Sequence, residues 1–225
     1  MKKILTLTIV FLSAVTLMNA QNPVSIGIRA GVNFQNINGK ESNGSKLQNG
    51  LTTGFNAGVT ADIPIGVDFY LQPGILYSLK GAKLKNYEYM GQRFNGDLKL
   101  SYIEIPVSLL YKPVLGKGKL LVGFGPYVAF GIGGKADVTN PSRKYDVKFK
   151  KDVNGSDLTT TPFYYKPLDA GANIFAGYQF NNKFSVQLNS QLGLVKLNST
   201  INGVDQGDAA HKNTGFGVSL GYRLK

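Results

Sequence analysis

The chain of 225 residues contains no cysteine, no tryptophan and one histidine, and carries a formal net charge of +12. Without cysteine, a disulfide framework, thiol catalysis and thiolate metal ligation are all excluded. The basic excess would suit nucleic acid, but the lysines and arginines are scattered, follow no helical stripe and belong to no nucleic-acid motif, so no nucleic-acid role is expected.

Mean hydropathy is −0.07. That is too polar for a bundle of membrane helices but suits a membrane barrel, whose strands expose only alternate residues to lipid. At the N-terminus, Lys2 and Lys3 precede the apolar run ILTLTIVFLSAVTL (4–17), which ends in Met18-Asn19-Ala20. The run is shorter than the roughly 20 residues of a spanning helix. Charge, apolar run and small residue in that order predict a signal peptide over 1–20, leaving 21–225 as one domain.

Beyond it the chain alternates. In VSIGIRAGVNF (24–34), Val24, Ile26, Ile28, Ala30, Val32 and Phe34 share one face, while Ser25, Gly27, Arg29, Gly31 and Asn33 share the other. This period of two marks a strand between an apolar and a polar medium. A polar stretch (35–51) reads as a loop, and TGFNAGVTADI (53–63) repeats the pattern before a tight connection at Pro64-Ile65-Gly66. The third run, VDFYLQPGILYSLK (67–80), is followed by a predicted loop over 81–97 and then by a fourth containing YIEIPVSLLYK (102–112). A short link leads to KLLVGFGPYVAFGIGG (119–134), and residues 135–165 read as the longest loop, within which YDVKFK (145–150) alternates as a hairpin would. LDAGANIFAGYQF (168–180) turns through Asn181-Asn182-Lys183 into KFSVQLNSQLGLVKL (183–197), and a loop at 198–212 leads to NTGFGVSLGYRLK (213–225).

Eight strands joined by connections that alternate long and short predict an all-β, eight-stranded antiparallel up-and-down transmembrane β-barrel. Short turns on one side and long loops on the other are the habit of outer-membrane barrels. The less apolar face is rich in Gly, Ser, Asn and Gln, which suits a filled interior better than a water-facing surface. Phe69, Tyr111, Phe180, Phe184 and Tyr222 gather near the short-turn end as an expected aromatic girdle, with Phe34, Phe55, Tyr77 and Phe216 at the opposite rim. Pro73, Pro106 and Pro126 fall inside strands and cannot donate to a ladder, so bulges or a broken ladder are expected there.

The strings LQPGILYSLKGA, YIEIPVSLLYK and GFGPYVAF, with AGYQF and SQLGL later, resemble the PorT-like outer-membrane β-barrel family over most of 24–225. The resemblance implies a barrel in the outer membrane of a Gram-negative bacterium, and the family's namesake is tied to a secretion and gliding apparatus. The chain departs from the common outer-membrane ending, since its last residues are Tyr222-Arg223-Leu224-Lys225 rather than an aromatic terminus.

Four constellations bear on function. Arg29, Glu104, Lys112 and Arg223 face the predicted interior and could form an ionic cluster, expected to be structural because eight strands leave little channel. Arg143, Lys144, Tyr145, Lys148, Lys150 and Lys151 in the long loop are candidates for contact with lipopolysaccharide phosphates or a protein ligand. His211, the lone histidine, is expected on an exposed loop and not in catalysis, since a hydrolase or acyltransferase would set such a base beside a serine. Asp152, Asn154 and Asp157 imitate a calcium loop, but Asp157 and Phe163 stand where glycine and glutamate belong, so no metal or other cofactor is expected. The expectation is a monomeric, non-enzymatic barrel with short turns and both mature termini periplasmic and long loops extracellular. Its partners would be outer-membrane lipids and lipopolysaccharide, together with an envelope or secretion protein. A small pore or ligand carrier, and less so a lipid A-modifying enzyme, are the alternatives.

Overall fold

A computed structural model describes residues 23–89, 92–139, 142–159, 161, 163–181 and 183–224. The expected signal peptide therefore lies outside the described residues. In chain order the strands are β1 (Ser25–Lys40), β2 (Thr52–Gly66), β3 (Phe69–Tyr89), β4 (Gln92–Tyr111), β5 (Val114–Leu115), β6 (Gly118–Thr139) and β7 (Ser142–Phe149). They continue with β8 (Asp152–Val153), β9 (Tyr164–Tyr165), β10 (Leu168–Phe180), β11 (Phe184–Gly193), β12 (Thr200–Ile201) and β13 (Ala210–Arg223). Eight of these close a ring: β1 pairs with β2 and β13, the pairing runs on through β3, β4 and β6, and β10 joins β6 to β11 and so back to β13. Every neighbour in the ring is antiparallel.

The pleat decides which medium each side chain meets. Outward positions are apolar and exposed, with Ile26 at 50% and Leu220 at 64%, whereas the inward Glu104 is 3% exposed. Exposing so many large apolar groups to water would forfeit about 1.5–3 kcal/mol each. The arrangement therefore requires hydrocarbon around the ring, and every strand of the ring has a neighbour on both sides, so no sheet edge faces lipid. Aromatic pairs mark both rims of this apolar band. Phe69 lies opposite Tyr111 with ring centroids 4.8 Å apart, and Phe184 opposite Tyr222 at 4.9 Å. At the other rim Phe34 meets Phe216 at 5.4 Å and Phe55 meets Tyr77 at 5.5 Å.

The prolines open gaps in the ladders without displacing them. Pairing of β3 with β4 lapses between Pro73↔Val107 and Leu76↔Glu104, and that of β4 with β6 between Pro106↔Tyr127 and Leu109↔Phe124, with the same register on either side. The chain thus loses a bond or two at each proline and keeps its facing.

Two of the predicted loops are instead strand. Residues 81–89 and 92–97 form the far end of the β3–β4 hairpin, and within 135–165 the end of β6 pairs with β7. Above the band the polarity of the two faces inverts. Ala82, Leu84, Leu98, Leu100, Ala136, Val138 and Val147 now point inward and are buried, and with Ile37, Phe163, Tyr165 and Leu197 they form one closed apolar core. Outside this head stand Lys83, Lys99, Lys135 and Lys144. In β6 the inversion needs a device, because outward residues below the head are even-numbered and inward residues within it are even too. A register shift at Ser101/Tyr102 leaves Ile132 as an extra, bulged residue and turns the strand over.

Candidate functional site

The barrel interior buries charge. Lys80 on β3 is fully buried and sits 2.8 Å from Glu104 Oε2 on β4 and 3.1 Å from Asp169 Oδ2 on β10. Gln191 Nε2 donates to Glu104 Oε1 at 2.7 Å, and Asn213 Nδ2 donates to Asp169 Oδ2 at 2.9 Å. The Tyr127 hydroxyl donates to the same carboxylate at 3.3 Å, and its ring lies 4.1 Å beneath the Lys80 ammonium. Every charge in this group thus has an opposite charge and further polar partners, which makes burial tolerable.

Nearer the short turns lies a second group. Lys112 Nζ pairs with Asp62 Oδ2 at 2.8 Å, and Gln72 Nε2 donates to Asp62 Oδ1 at 2.7 Å. Of the four residues predicted to cluster, Glu104 and Lys112 therefore belong to separate ion pairs, completed by Lys80, Asp169 and Asp62. Arg29 points into the lumen between the two groups, where Nη1 donates to Gln187 Oε1 at 3.5 Å. Arg223 lines the short-turn mouth together with Lys112 and Asp62. Between the groups lies a cavity of about 50 Å³ lined by Arg29, Asn33, Gln35, Asn56, Glu104 and Gln191, among others. That is room for a few waters and no larger solute. Leu110, Leu121 and Phe175 pack together across the lumen below it, and the apolar core of the head closes it above.

Sequence reasoning missed Lys80, Asp169 and the head. Lys80 ends the third alternating run on its inward parity, so the signal was present. Its partners stand on other strands, Asp169 being 89 residues away, and no local spacing announces them. The inward pair Ala82, Leu84 was likewise legible within the predicted loop 81–97, and Leu98, Leu100 just after it.

In the head, Arg143, Lys144 and Lys148 on β7 are exposed, as is Lys151 just beyond it. Tyr145 turns inward to pack 5.7 Å from the Phe163 ring, and Lys150 is paired with Asp157 at 2.6 Å. That pairing and the Asn154 amide hold the Asp157 carboxyl below the usual carboxylate range.

The histidine expectation is corrected. His211 is not on an exposed loop but in β13 opposite Gly39, beyond the rim marked by Phe34 and Phe216, and it is buried. The ladder continues because Leu197 N donates to the His211 carbonyl at 2.8 Å, and His211 N donates to Asn198 Oδ1 at 2.6 Å. Burial pushes its imidazole down to about 4, since charging it there would forfeit solvation.

A family model described as outer membrane protein beta-barrel domain matches residues 19–199. No curated protein matches the chain. Among solved structures, the chain is similar to Ail, the attachment invasion locus protein of Yersinia pestis, solved in complex with the heparin analogue sucrose octasulfate. The identity is 15% and the TM-score 0.40, over 90% of this chain and 100% of that one. It is similar also to Neisserial surface protein A, at 12% identity and TM-score 0.44 over 89% and 99% of the two chains. For OprG from Pseudomonas aeruginosa the identity is 10% and the TM-score 0.43, over 89% and 95%.

Proposed function

The chain belongs to the family of outer membrane protein beta-barrel domains, and on that premise we propose that it is a non-enzymatic, monomeric barrel that holds a folded head outside the cell for interaction with an envelope or secretion partner. The observation that carries the reading is the head itself. Its strands continue the barrel wall, invert their polarity and enclose a closed apolar core over the lumen. A wall extended in this way presents a fixed surface, and Arg143, Lys144 and Lys151 stand exposed on it. In this reading the leader over 1–20 directs export in a Gram-negative cell, and the short turns and both mature termini face the periplasm. The strings shared with PorT-like members support a place near that branch, with an envelope or secretion assembly as the partner class. A buried histidine in a strand ladder supports the non-enzymatic part of the proposal.

Planar-bilayer recording separates this reading from a pore. Purified full-length protein is expected to give no channel events, because Leu110, Leu121 and Phe175 fill the lumen on one side of the cavity and the head core closes the other. Sustained conductance from a homogeneous preparation would replace the presenting role with a conducting one.

A further inference from the structure

On the outer wall, Lys99 of β4 stands directly opposite Lys135 of β6, both exposed. Like charges placed opposite each other on one face of a sheet destabilise it unless an anion bridges them. Neither lysine makes an ion pair within 4 Å among the described residues. Asp97 and Asp137 stand one step further from the band on the same strands. One step nearer the band, Ser101 lies opposite Gly133, and the Tyr77 and Ser101 hydroxyls share a 2.8 Å hydrogen bond. A Cβ placed on Gly133 would meet nothing within 4 Å, so the wall beneath Lys135 is bare. Directly below begins the apolar band, where the bulged Ile132 and Phe130 are exposed.

We propose that Lys99 and Lys135 clamp the phosphate of a lipid whose acyl chains lie along Phe130 and Ile132, with lipid A of the outer leaflet as the occupant. The bare floor at Gly133 admits the phosphate, and the two ammonium groups neutralise it. The pair of Tyr77 and Ser101 hydroxyls, whose mutual bond leaves one O–H free, supplies one neutral donor at the level where headgroup meets hydrocarbon. The choice of lipid A over an inner-leaflet phosphate rests on the proposed outward orientation of the head.

The test is native mass spectrometry of the refolded full chain in detergent micelles with added lipid A. Wild type is expected to retain the lipid, and K99Q/K135Q to bind it about tenfold to thirtyfold more weakly, from roughly a kilocalorie per lysine. K144Q, further up the same face opposite Asp137, is expected to change binding by less than about twofold, and K99R/K135R to retain it. Equal loss in K144Q would mean diffuse attraction, equal binding of dephosphorylated lipid A would mean acyl contact alone, and full displacement by millimolar inorganic phosphate would mean a free-anion site. Each of these overturns the clamp. If the lysines served only to balance Asp97 and Asp137, the double variant would lose protease resistance of the head and keep the lipid. The chain has no cysteine, so Ser142→Cys can be labelled on whole cells. Failure of that labelling with lipid A still retained in micelles would overturn the orientation and with it lipid A as the occupant in the cell, and would leave the two-lysine clamp to a phospholipid of the inner leaflet.

Discussion

Lys80 has no access to water and two carboxylates within 3.1 Å, so its removal leaves Glu104 and Asp169 buried with no counter-charge on Lys80's side. Breaking a buried pair by deleting one partner typically costs about 3–5 kcal/mol, whereas replacing the whole set by neutral groups of similar shape is far milder. Lys80→Met is therefore expected to lower the urea midpoint strongly, and Lys80→Met/Glu104→Gln/Asp169→Asn to recover most of the loss. A single variant as stable as wild type would show that the triad contributes little. Of this site, the sequence displayed the individual charges on their inward parity but not their pairing. Glu104 was legible because it interrupts a long alternating run. Which lysine meets it depends on register, and register is set by contacts between strands.

Along β3, β4 and β6 the same alternation serves two solvents. Below the rim the inward face is Gln72, Ser78, Lys80 and Glu104; above it is Ala82, Leu84, Leu98 and Leu100. The eight strands and the side of each were legible because hydrocarbon selects an unbroken apolar stripe. The head was not, because its apolar residues are few per strand and are interspersed with lysines and glycines that locally read as loop. Gly81, where β3 passes from barrel to head, has φ of 143°, and any Cβ there would collide with the Leu98 carbonyl. If the two halves of these strands are stabilised separately, a head mutation should spare the barrel. Leu98 is completely buried, and Leu98→Asp would forfeit its packing and bury a charge, at a cost of several kcal/mol. Limited proteolysis is expected to cut this variant between about residues 81 and 165 while heat-modifiable electrophoretic mobility, a property of the closed ring, is kept. Loss of both together would show one cooperative unit.

As a whole the molecule is a ring in hydrocarbon joined to a head in water, and His211 stands where the two meet. Its backbone carbonyl accepts from Leu197 N, and Leu197 is a fully buried member of the head core. An imidazole whose value falls from 6.5 free to about 4 in the fold favours the folded state when neutral. That contribution is complete above pH 6.5 and is lost progressively as pH falls towards 4, to a total on the order of 3 kcal/mol. His211 is the one histidine of the chain, so mild acid should act on the junction first. Protection factors for hydrogen exchange, corrected for the intrinsic rate at each pH, are expected to fall in residues 195–212 at pH 5 relative to pH 7.5, while those of β10 and β11 are kept. His211→Gln removes the titrating group, so its protection factors in 195–212 should be the same at both pH values. If that variant remains acid-sensitive there, the junction is controlled by other groups and His211 is a passive part of the wall.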